Sequence, residues 1–171
     1  AGLRGVESRI RLSVAQVNVA FRRSLITAKL VLLNTAEVEY STVGNLHMDL
    51  INLTFGLTPK LREVHKLRQA NRADLVSLFV GGSPQIFHGI SWMLNDMRPA
   101  ANYGFNVVEG IYAPTSVFAH EIGHNLGCQH ATNDFDGSIK GVFTNSHGLR
   151  FNTTFAGRSY PMRTIMAYGA G

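Results

Sequence analysis

Apolar positions in the first fifty or so residues follow first a helical and then a strand-like spacing. Residues 5–23 carry apolar side chains at steps of three and four, which predicts an amphipathic helix. Residues 26–34 contain an apolar run, which is typical of a strand buried on both faces of a parallel sheet. Residues 45–54 are ambiguous, although the spacing of their leucines favours a short helix.

A further helix and strand follow in the sequence. Thr58 is a typical N-cap and Pro59 a typical first helical residue, so we predict a helix from there to about residue 71. Residues 75–80 form another apolar run, closed by two glycines. Because a helix separates this strand from the one at 26–34, the two are predicted to form a right-handed parallel unit.

The second half of the chain is predicted to hold two more strands and one short helix. Residues 86–94 and 105–112 have the composition of strands. Thr115 or Ser116 is the expected N-cap of the helix that comes next. After that helix the sequence is rich in glycine, and we expect irregular structure to about residue 160.

Composition places the chain among folded globular proteins. It has 171 residues, of which 45% are hydrophobic and 16% charged, and this length fits one domain. No apolar run approaches the roughly 20 residues that cross a bilayer, so we predict no membrane span. The single cysteine, Cys128, excludes an intramolecular disulfide framework. Its thiol is read either as a group near a metal or as a small packing residue.

Positive charge is concentrated in the first thirty residues and in residues 60–72, and the formal net charge is +5. Either these segments attract anionic surfaces or acidic substrates, or they are the solvated faces of two amphipathic helices. No nucleic-acid-binding motif accompanies them, so we predict no nucleic-acid partner.

The candidate chemistry lies in one stretch that reads His-Glu-x-x-His-x-x-Gly-x-x-His. On a helix, the spacing of His120 and His124 puts both imidazoles on one face, where they can share one metal ion. Glu121 can reach a metal-bound water without being a ligand. Gly127 can end the helix and turn the chain so that His130 returns as a third ligand. Three histidines leave zinc with one open position, which is the catalytic arrangement.

Two other readings of this stretch remain open. The histidines can be surface residues of a helix that align by chance, or they can hold a zinc ion that serves stability alone. The open coordination position and the neighbouring Glu121 favour catalysis over a purely structural zinc site.

The stretch resembles the active-site helix of the metzincin clan of zinc endopeptidases. Residues 164–168, Thr-Ile-Met-Ala-Tyr, resemble the Met-turn of that clan, in which Met166 would lie beneath the metal. Along residues 73–80, 118–127 and 163–168 the chain is most similar to the reprolysin-like bacterial enzymes called peptidyl-Asp metalloendopeptidases.

This resemblance implies an α/β fold with a twisted, mostly parallel sheet, an antiparallel edge strand and helices packed on the sheet. Residues 1–127 would form the upper part of a single metalloprotease domain, and residues 128–171 a small irregular lower part across the cleft. The sheet of the clan has five strands and begins before the first helix. Because this chain starts in that helix and ends soon after the Met-turn, we expect the first strand and the last helix to be missing.

The resemblance also implies a substrate-binding edge strand that borders the cleft and pairs with extended polypeptide. An ordinary strand with Trp92 in the core is the alternative. The candidate residues are Gly89, Ile90, Ser91, Trp92 and Met93.

The implied activity is zinc-dependent hydrolysis of peptide bonds, with Glu121 as general base, by a processed and secreted enzyme. Tyr168 is a fifth ligand, an oxyanion donor or a packing residue. Cleavage before aspartate would need a cationic pocket, for which Arg158 and Arg163 are candidates unless they are surface residues. The alternative function is a catalytically inactive, zinc-stabilised module that binds peptides or proteins.

Two local features depart from familiar patterns. Many relatives carry aspartate directly after the third histidine, whereas this chain has Ala131, so a supporting hydrogen bond must be missing or supplied elsewhere. Residues 134–137 offer two aspartates that resemble part of a calcium site. They lack the full ligand spacing of a calcium loop, so we interpret them as a turn.

Overall fold

The computed structural model describes residues 2–82, 86–95, 99–134 and 141–169. Helices and strands are numbered separately in chain order. The helices are α1 (Leu3–Arg23), α2 (Leu46–Phe55), α3 (Pro59–Ala70), α4 (Ala100–Tyr103) and α5 (Phe118–Asn125). The strands are β1 (Val76–Val80), β2 (Gly89–Ser91), β3 (Phe105–Glu109), β4 (Arg150–Phe155) and β5 (Arg158–Arg163).

The central sheet has three strands in the order β1-β3-β2. β1 runs parallel to β3, with Val76 opposite Phe105. β2 runs antiparallel to β3 at the other edge, with Ser91 opposite Asn106. A mixed sheet with an antiparallel edge strand is the predicted fold class, and the structure confirms it.

Helices pack on both faces of this sheet because the side chains of β3 alternate between two core clusters. Phe105 and Val107 join one cluster with leucines of α2 and α3. Val108 joins the other cluster with Val17 of α1 and Ile122 of α5. β3 is buried along its whole length, so it fixes α5 rigidly against the middle of the sheet.

Two of the described helices, α2 and α3, begin at polar N-caps. α1 and α3 confirm two predicted helices, and α2 shows that the ambiguous leucine-spaced segment is helical. Asn45 Oδ1 accepts a hydrogen bond from the His47 backbone N–H (3.0 Å), and Thr58 Oγ1 accepts one from the Leu61 N–H (3.2 Å). Among the described residues, none of the helices combines the length and apolar character that crossing a bilayer requires.

The prediction of a strand at residues 26–34 is wrong. This segment has no regular secondary structure and joins no sheet, and it lines a groove of about 1160 Å³ together with β1. The Asn18 side chain takes both the N–H and the carbonyl of Leu30 (2.8 Å each), which a neighbouring strand would otherwise use. Val31 and Leu33 are more than half exposed. The apolar run therefore packs on one side only, and the predicted right-handed parallel unit with residues 75–80 does not form.

The other strand predictions are correct in place but too long. The strands predicted at 75–80, 86–94 and 105–112 are present as β1, β2 and β3. β1 is half-buried along its length rather than buried, because one of its edges faces the groove.

The prediction of irregular structure to about residue 160 is wrong for β4 and β5, which form an exposed two-stranded antiparallel hairpin. Phe155 pairs with Arg158, so the loop consists of Ala156 and Gly157 alone. Both loop residues have positive φ (49° and 74°), as the two-residue turns that match the twist of hairpin strands require.

Candidate active site

Helix α5 and the turn after it bring three histidines together. The Nε2 atoms of His120 and His124 lie 3.1 Å apart. Gly127 then turns the chain in the left-handed conformation (φ 84°), which favours glycine. The turn returns His130, whose Nε2 lies 2.9 Å from that of His120 and 3.0 Å from that of His124. The spacing of the motif predicts this convergence.

The start of α5 differs from the prediction. An irregular turn at Ala113–Val117 precedes the helix, and Val117 is the N-cap without a side-chain cap hydrogen bond. The Thr115 hydroxyl accepts a 3.3 Å hydrogen bond from the Val117 N–H and donates one of 2.6 Å to the Tyr112 carbonyl. The prediction that Thr115 or Ser116 caps α5 is therefore wrong, because Thr115 stabilises the irregular turn instead.

Backbone carbonyls decide where two of the histidines carry their protons. His120 Nδ1 lies 2.8 Å from the Ile165 carbonyl oxygen, and His124 Nδ1 lies 2.8 Å from the Cys128 carbonyl oxygen. A carbonyl can only accept, so each Nδ1 is the donor. Both Nε2 atoms therefore direct lone pairs into the cluster, which is the tautomer that binds a metal.

The cluster fits a small cation with nitrogen ligands. Burial, followed by the charges of the His120 and His130 rings, lowers the pKa of His124 to about 3, so this ring is neutral near neutral pH. Lone pairs about 3 Å apart repel each other unless a cation lies between them. A tetrahedral zinc would hold three ring nitrogens about 3.3 Å apart, so the rings need to spread by only about 0.3 Å. Among the described residues, these three histidines form the group able to hold a metal.

Glu121 is held between α5 and the edge strand β2. Its side chain is buried, and Ser91 Oγ donates a 2.7 Å hydrogen bond to Glu121 Oε2. A Cβ at Gly89 would lie 2.6 Å from Glu121 Oε1, so only glycine allows the carboxylate this close to the strand. Burial raises the pKa of Glu121 to about 8, and the hydrogen bond from Ser91 opposes that rise.

The sequence profile of the metallo-peptidase family M12B, reprolysin-like, matches residues 7–131, which is well over half of the chain. This chain belongs to the reprolysin-like M12B metallopeptidases. A peptidyl-Asp metalloendopeptidase from Pseudomonas aeruginosa is 28% identical over 186 aligned positions that cover 96% of this chain. The chain spans 29% of the length of that relative.

Family membership confirms the predicted resemblance and the predicted metallopeptidase class. The matched region contains all three histidines and Glu121, and it ends one residue after His130.

The backbone of His130 is fixed by two residues that the sequence did not single out. Gln129 Oε1 accepts a hydrogen bond from the His130 N–H (2.7 Å), and the His147 Nδ1–H donates to the His130 carbonyl (3.0 Å). Backbone bonds also join Gln129 to Ser146 and Gly148. His147 is the one histidine downstream of the motif, and it is a weak signal, because the sequence does not show that it folds back onto His130.

Residues 164–168, the predicted Met-turn, lie against α5. Met166 is buried, and a Cβ at Gly123 would collide with its sulfur, so the turn packs directly on α5. The Tyr168 ring lies 4.3 Å from the His130 ring and 5.9 Å from the His120 ring, measured between centroids. Tyr168 is 38% exposed and borders the site.

Asp134 supplies the carboxylate that is absent at Ala131. Asp134 Oδ2 accepts hydrogen bonds from the backbone N–H of Ala131 (3.1 Å) and of Tyr168 (3.3 Å). Arg150 pairs with Asp134 and donates to the Tyr168 carbonyl (2.9 Å). Burial alone raises the pKa of Asp134, but the hydrogen bonds from Arg150 and the two backbone N–H groups, together with the Arg150 charge, lower it below its usual value. This Asp134 clasp ties the loop after His130 to the Met-turn.

We expect Asp134→Ala to destabilise the reprolysin-like domain by about 1–3 kcal/mol, because three donors lose a charged acceptor. Peptidase activity should fall as the Met-turn loosens. Thermal unfolding at neutral pH measures the stability. Because the pKa of Asp134 is lowered in the folded state, its contribution is present above the ordinary carboxyl pKa and is lost as pH falls through the folded pKa.

A matched control is Glu39→Ala, which removes a carboxylate from an exposed ion pair with Lys60. Exposed pairs contribute about 0–1 kcal/mol, so this variant should unfold close to wild type. Equal stability losses in the two variants would contradict a special role for the Asp134 clasp.

The predicted edge strand is present as β2, although it is shorter than the five candidate residues. Gly89, Ile90 and Ser91 pair with β3, and Trp92 and Met93 follow the strand. The Trp92 indole N–H donates to Thr54 Oγ1 (2.7 Å), and its ring packs against the first core cluster. β2 is thus an edge strand whose following residue, Trp92, belongs to the core.

The remaining candidates occupy different parts of the molecule. Arg163 lies at the end of β5, and its guanidinium donates to the Ala167 carbonyl beside the Met-turn. Arg158 lies at the exposed turn of the hairpin. Burial raises the pKa of the Cys128 thiol, and the site uses the Cys128 carbonyl, which orients His124. The suggested calcium turn lies mostly outside the described residues.

Proposed function

We propose that this chain is a zinc-dependent endopeptidase that hydrolyses peptide bonds in extended polypeptides. The observation that carries the proposal is the convergence of three ring nitrogens beside a buried carboxylate, with two rings oriented by backbone carbonyls. Zinc is the proposed metal, because three neutral histidines are a typical set of ligands for catalytic zinc. The family match supports a metallopeptidase, and the choice of zinc depends on the three histidines.

In this proposal His120, His124 and His130 hold the metal and Glu121 moves the proton. Zinc, when bound, supplies an acidified water and polarises the scissile carbonyl. The positive charge of a bound metal would favour the ionised form of Glu121. The carboxylate oxygen that Ser91 does not bind then accepts the water proton and delivers it to the leaving amine nitrogen. Water is consumed, the C–N bond breaks, and one carboxylic acid and one amine are formed.

Tyr168 and β2 are the proposed substrate contacts. Tyr168 borders the histidine rings, where its hydroxyl can donate to the developing oxyanion, and a role as fifth ligand is the alternative. Within the described part of the chain, β2 pairs with β3 alone, so its other edge can add a substrate strand.

A preference for aspartate on the carboxyl side of the cut is the proposed specificity. Its support is the 28% identity to a relative named for that cleavage. An aspartate side chain needs a cation, and we assign Arg163 because it lies beside the Met-turn. Arg158, at the exposed hairpin turn, is the second candidate and the matched control.

We expect cleavage mapping on a peptide library to show cuts mainly before aspartate, with all cuts abolished by a chelator. Arg163→Ala should lower the kcat/KM ratio of Asp to Asn peptides by about 10- to 100-fold, since one charged hydrogen bond is lost. Arg158→Ala should leave the ratio unchanged. A library without any preference for aspartate would end this part of the proposal.

The competing proposal is a zinc-stabilised module that binds peptides without cutting them. It shares the metal site but needs no proton acceptor, so the buried Glu121 beside the metal ligands favours the enzyme. From the same family resemblance we propose that residues 1–171 act as one catalytic domain, with residues 128–171 as its lower part, in a secreted protein.

A further inference from the structure

Two elements that are far apart in sequence meet at the Glu121 carboxylate. Glu121 is on α5, and Ser91 is on β2, thirty residues earlier. Ser91 Oγ donates to Oε2 at 2.7 Å, while Oε1 lies against the Gly89 backbone. One oxygen of the carboxylate is therefore anchored by a hydroxyl, and the other fits against β2 because residue 89 has no side chain.

We propose that Ser91 is a positioning residue for peptide hydrolysis, which fixes the Glu121 carboxylate so that Oε1 receives and delivers the proton. This inference rests on the proposed function. Glutamate has three rotatable side-chain bonds, and holding it in one reactive arrangement before substrate binds lowers the barrier. The anchor lies on β2, so the strand proposed to pair with substrate also sets the position of the base.

The structure separates this role from a general packing role. The Asn125 side-chain N–H donates to the Trp92 carbonyl (2.8 Å), and the Leu94 N–H donates to the His124 carbonyl (3.1 Å). These bonds hold the end of β2 on α5 without Ser91. A serine-to-alanine change therefore removes the anchor of the carboxylate and leaves the strand docked.

The first test compares wild type with Ser91→Ala, both fully loaded with zinc. We expect kcat to fall by about 10- to 100-fold with KM within about twofold, since a hydrogen bond to the base is lost and the substrate edge is unchanged. Zinc content and melting temperature should stay close to wild type. A crystal structure of Ser91→Ala should show the Glu121 carboxylate turned away from its wild-type position.

Two further variants make the result specific. Ser77→Ala removes a half-buried serine hydroxyl from β1, on the opposite side of β3, and should leave kcat unchanged. In a Glu121→Gln background, Ser91→Ala should cause no further loss, because its effect acts through that carboxylate. A full additional loss in the double variant would overturn the proposal.

The outcomes distinguish this inference from the proposed function. If Glu121→Gln is inactive while Ser91→Ala equals wild type in kcat, the Ser91 proposal fails and the peptidase stands. If the wild type cuts no peptide, or Glu121→Gln retains full activity, the proposed mechanism fails and takes the role of Ser91 with it. A stability loss in Ser91→Ala with unchanged kcat would show a merely structural serine.

Discussion

Glu121→Gln should reduce peptide hydrolysis by about 10²- to 10⁴-fold while the metal stays bound. Glutamine has nearly the same shape, and its amide oxygen can still accept the hydrogen bond from Ser91. It cannot take up a proton from water, so the transfer that the reaction needs is lost. The measurement is kcat/KM on a single peptide, paired with metal analysis of the purified variant.

The control for this variant is Glu63→Gln, which removes an exposed carboxylate paired with Lys66 on α3. It should retain full activity and full metal content. A Glu121→Gln protein that keeps near-normal activity and binds metal would exclude Glu121 as the base and leave the non-catalytic module as the better reading.

Removing the metal should abolish hydrolysis and destabilise the fold. Without a cation, the lone pairs of His120 and His124 face each other at 3.1 Å with no proton between them. A ligand that binds only the folded state at about 1,000 times its Kd adds about 4 kcal/mol of stability. For a domain of this size, that corresponds to about 8–16 °C in Tm. Thermal unfolding with chelator and after zinc is restored measures the effect.

The metal-free protein should also lose stability as pH rises, because burial raises the pKa of Glu121 from its ordinary 4.5 to about 8. Below about pH 4.5 the carboxyl is protonated in both the folded and the unfolded state, so it does not make the free energy of unfolding depend on pH. Between about 4.5 and 8 the unfolded state releases this proton more readily than the folded state, so the free energy of unfolding falls with increasing pH. Glu121→Gln removes this dependence. If the free energy of unfolding changed with pH equally in the metal-free wild type and in the variant, a buried, neutral Glu121 would be contradicted.

The convergence of the three histidines is the most predictable part of the site, because their spacing lies within one helix and its terminal turn. His120 and His124 need only helical periodicity, and His130 needs only the turn at Gly127. The contact between Ser91 and Glu121 was not predictable in the same way. It depends on the register of β2 against β3 and on how α5 packs on the sheet. Neither can be predicted from the residues next to Ser91 or Glu121.

The hydrogen bonds that Asp134 accepts were also not predictable from the sequence. Ala131 has no side-chain carboxylate, and Asp134, three residues later, accepts hydrogen bonds from the backbone N–H groups of Ala131 and Tyr168. The sequence predicts only a turn at Asp134, because nothing in the neighbouring residues indicates that Tyr168 approaches it.

Among the strands, an apolar run proved a poor guide to pairing. Residues 26–34 have strand composition, but Asn18 takes the Leu30 backbone groups, so the segment stays outside the sheet. The hairpin of β4 and β5 contradicts the prediction from glycine content, because the Ala156-Gly157 loop is a turn between two strands rather than part of an irregular segment.

Main-chain acceptors orient two of the three imidazoles, and this has a consequence for mutational tolerance. The oxygens of Ile165 and Cys128 belong to the polypeptide backbone, so no single amino-acid replacement at these positions deletes them. Residues 165 and 128 can therefore be substituted while the rings of His120 and His124 keep the same tautomer. An equivalent network built from carboxylate side chains would be broken by one codon change.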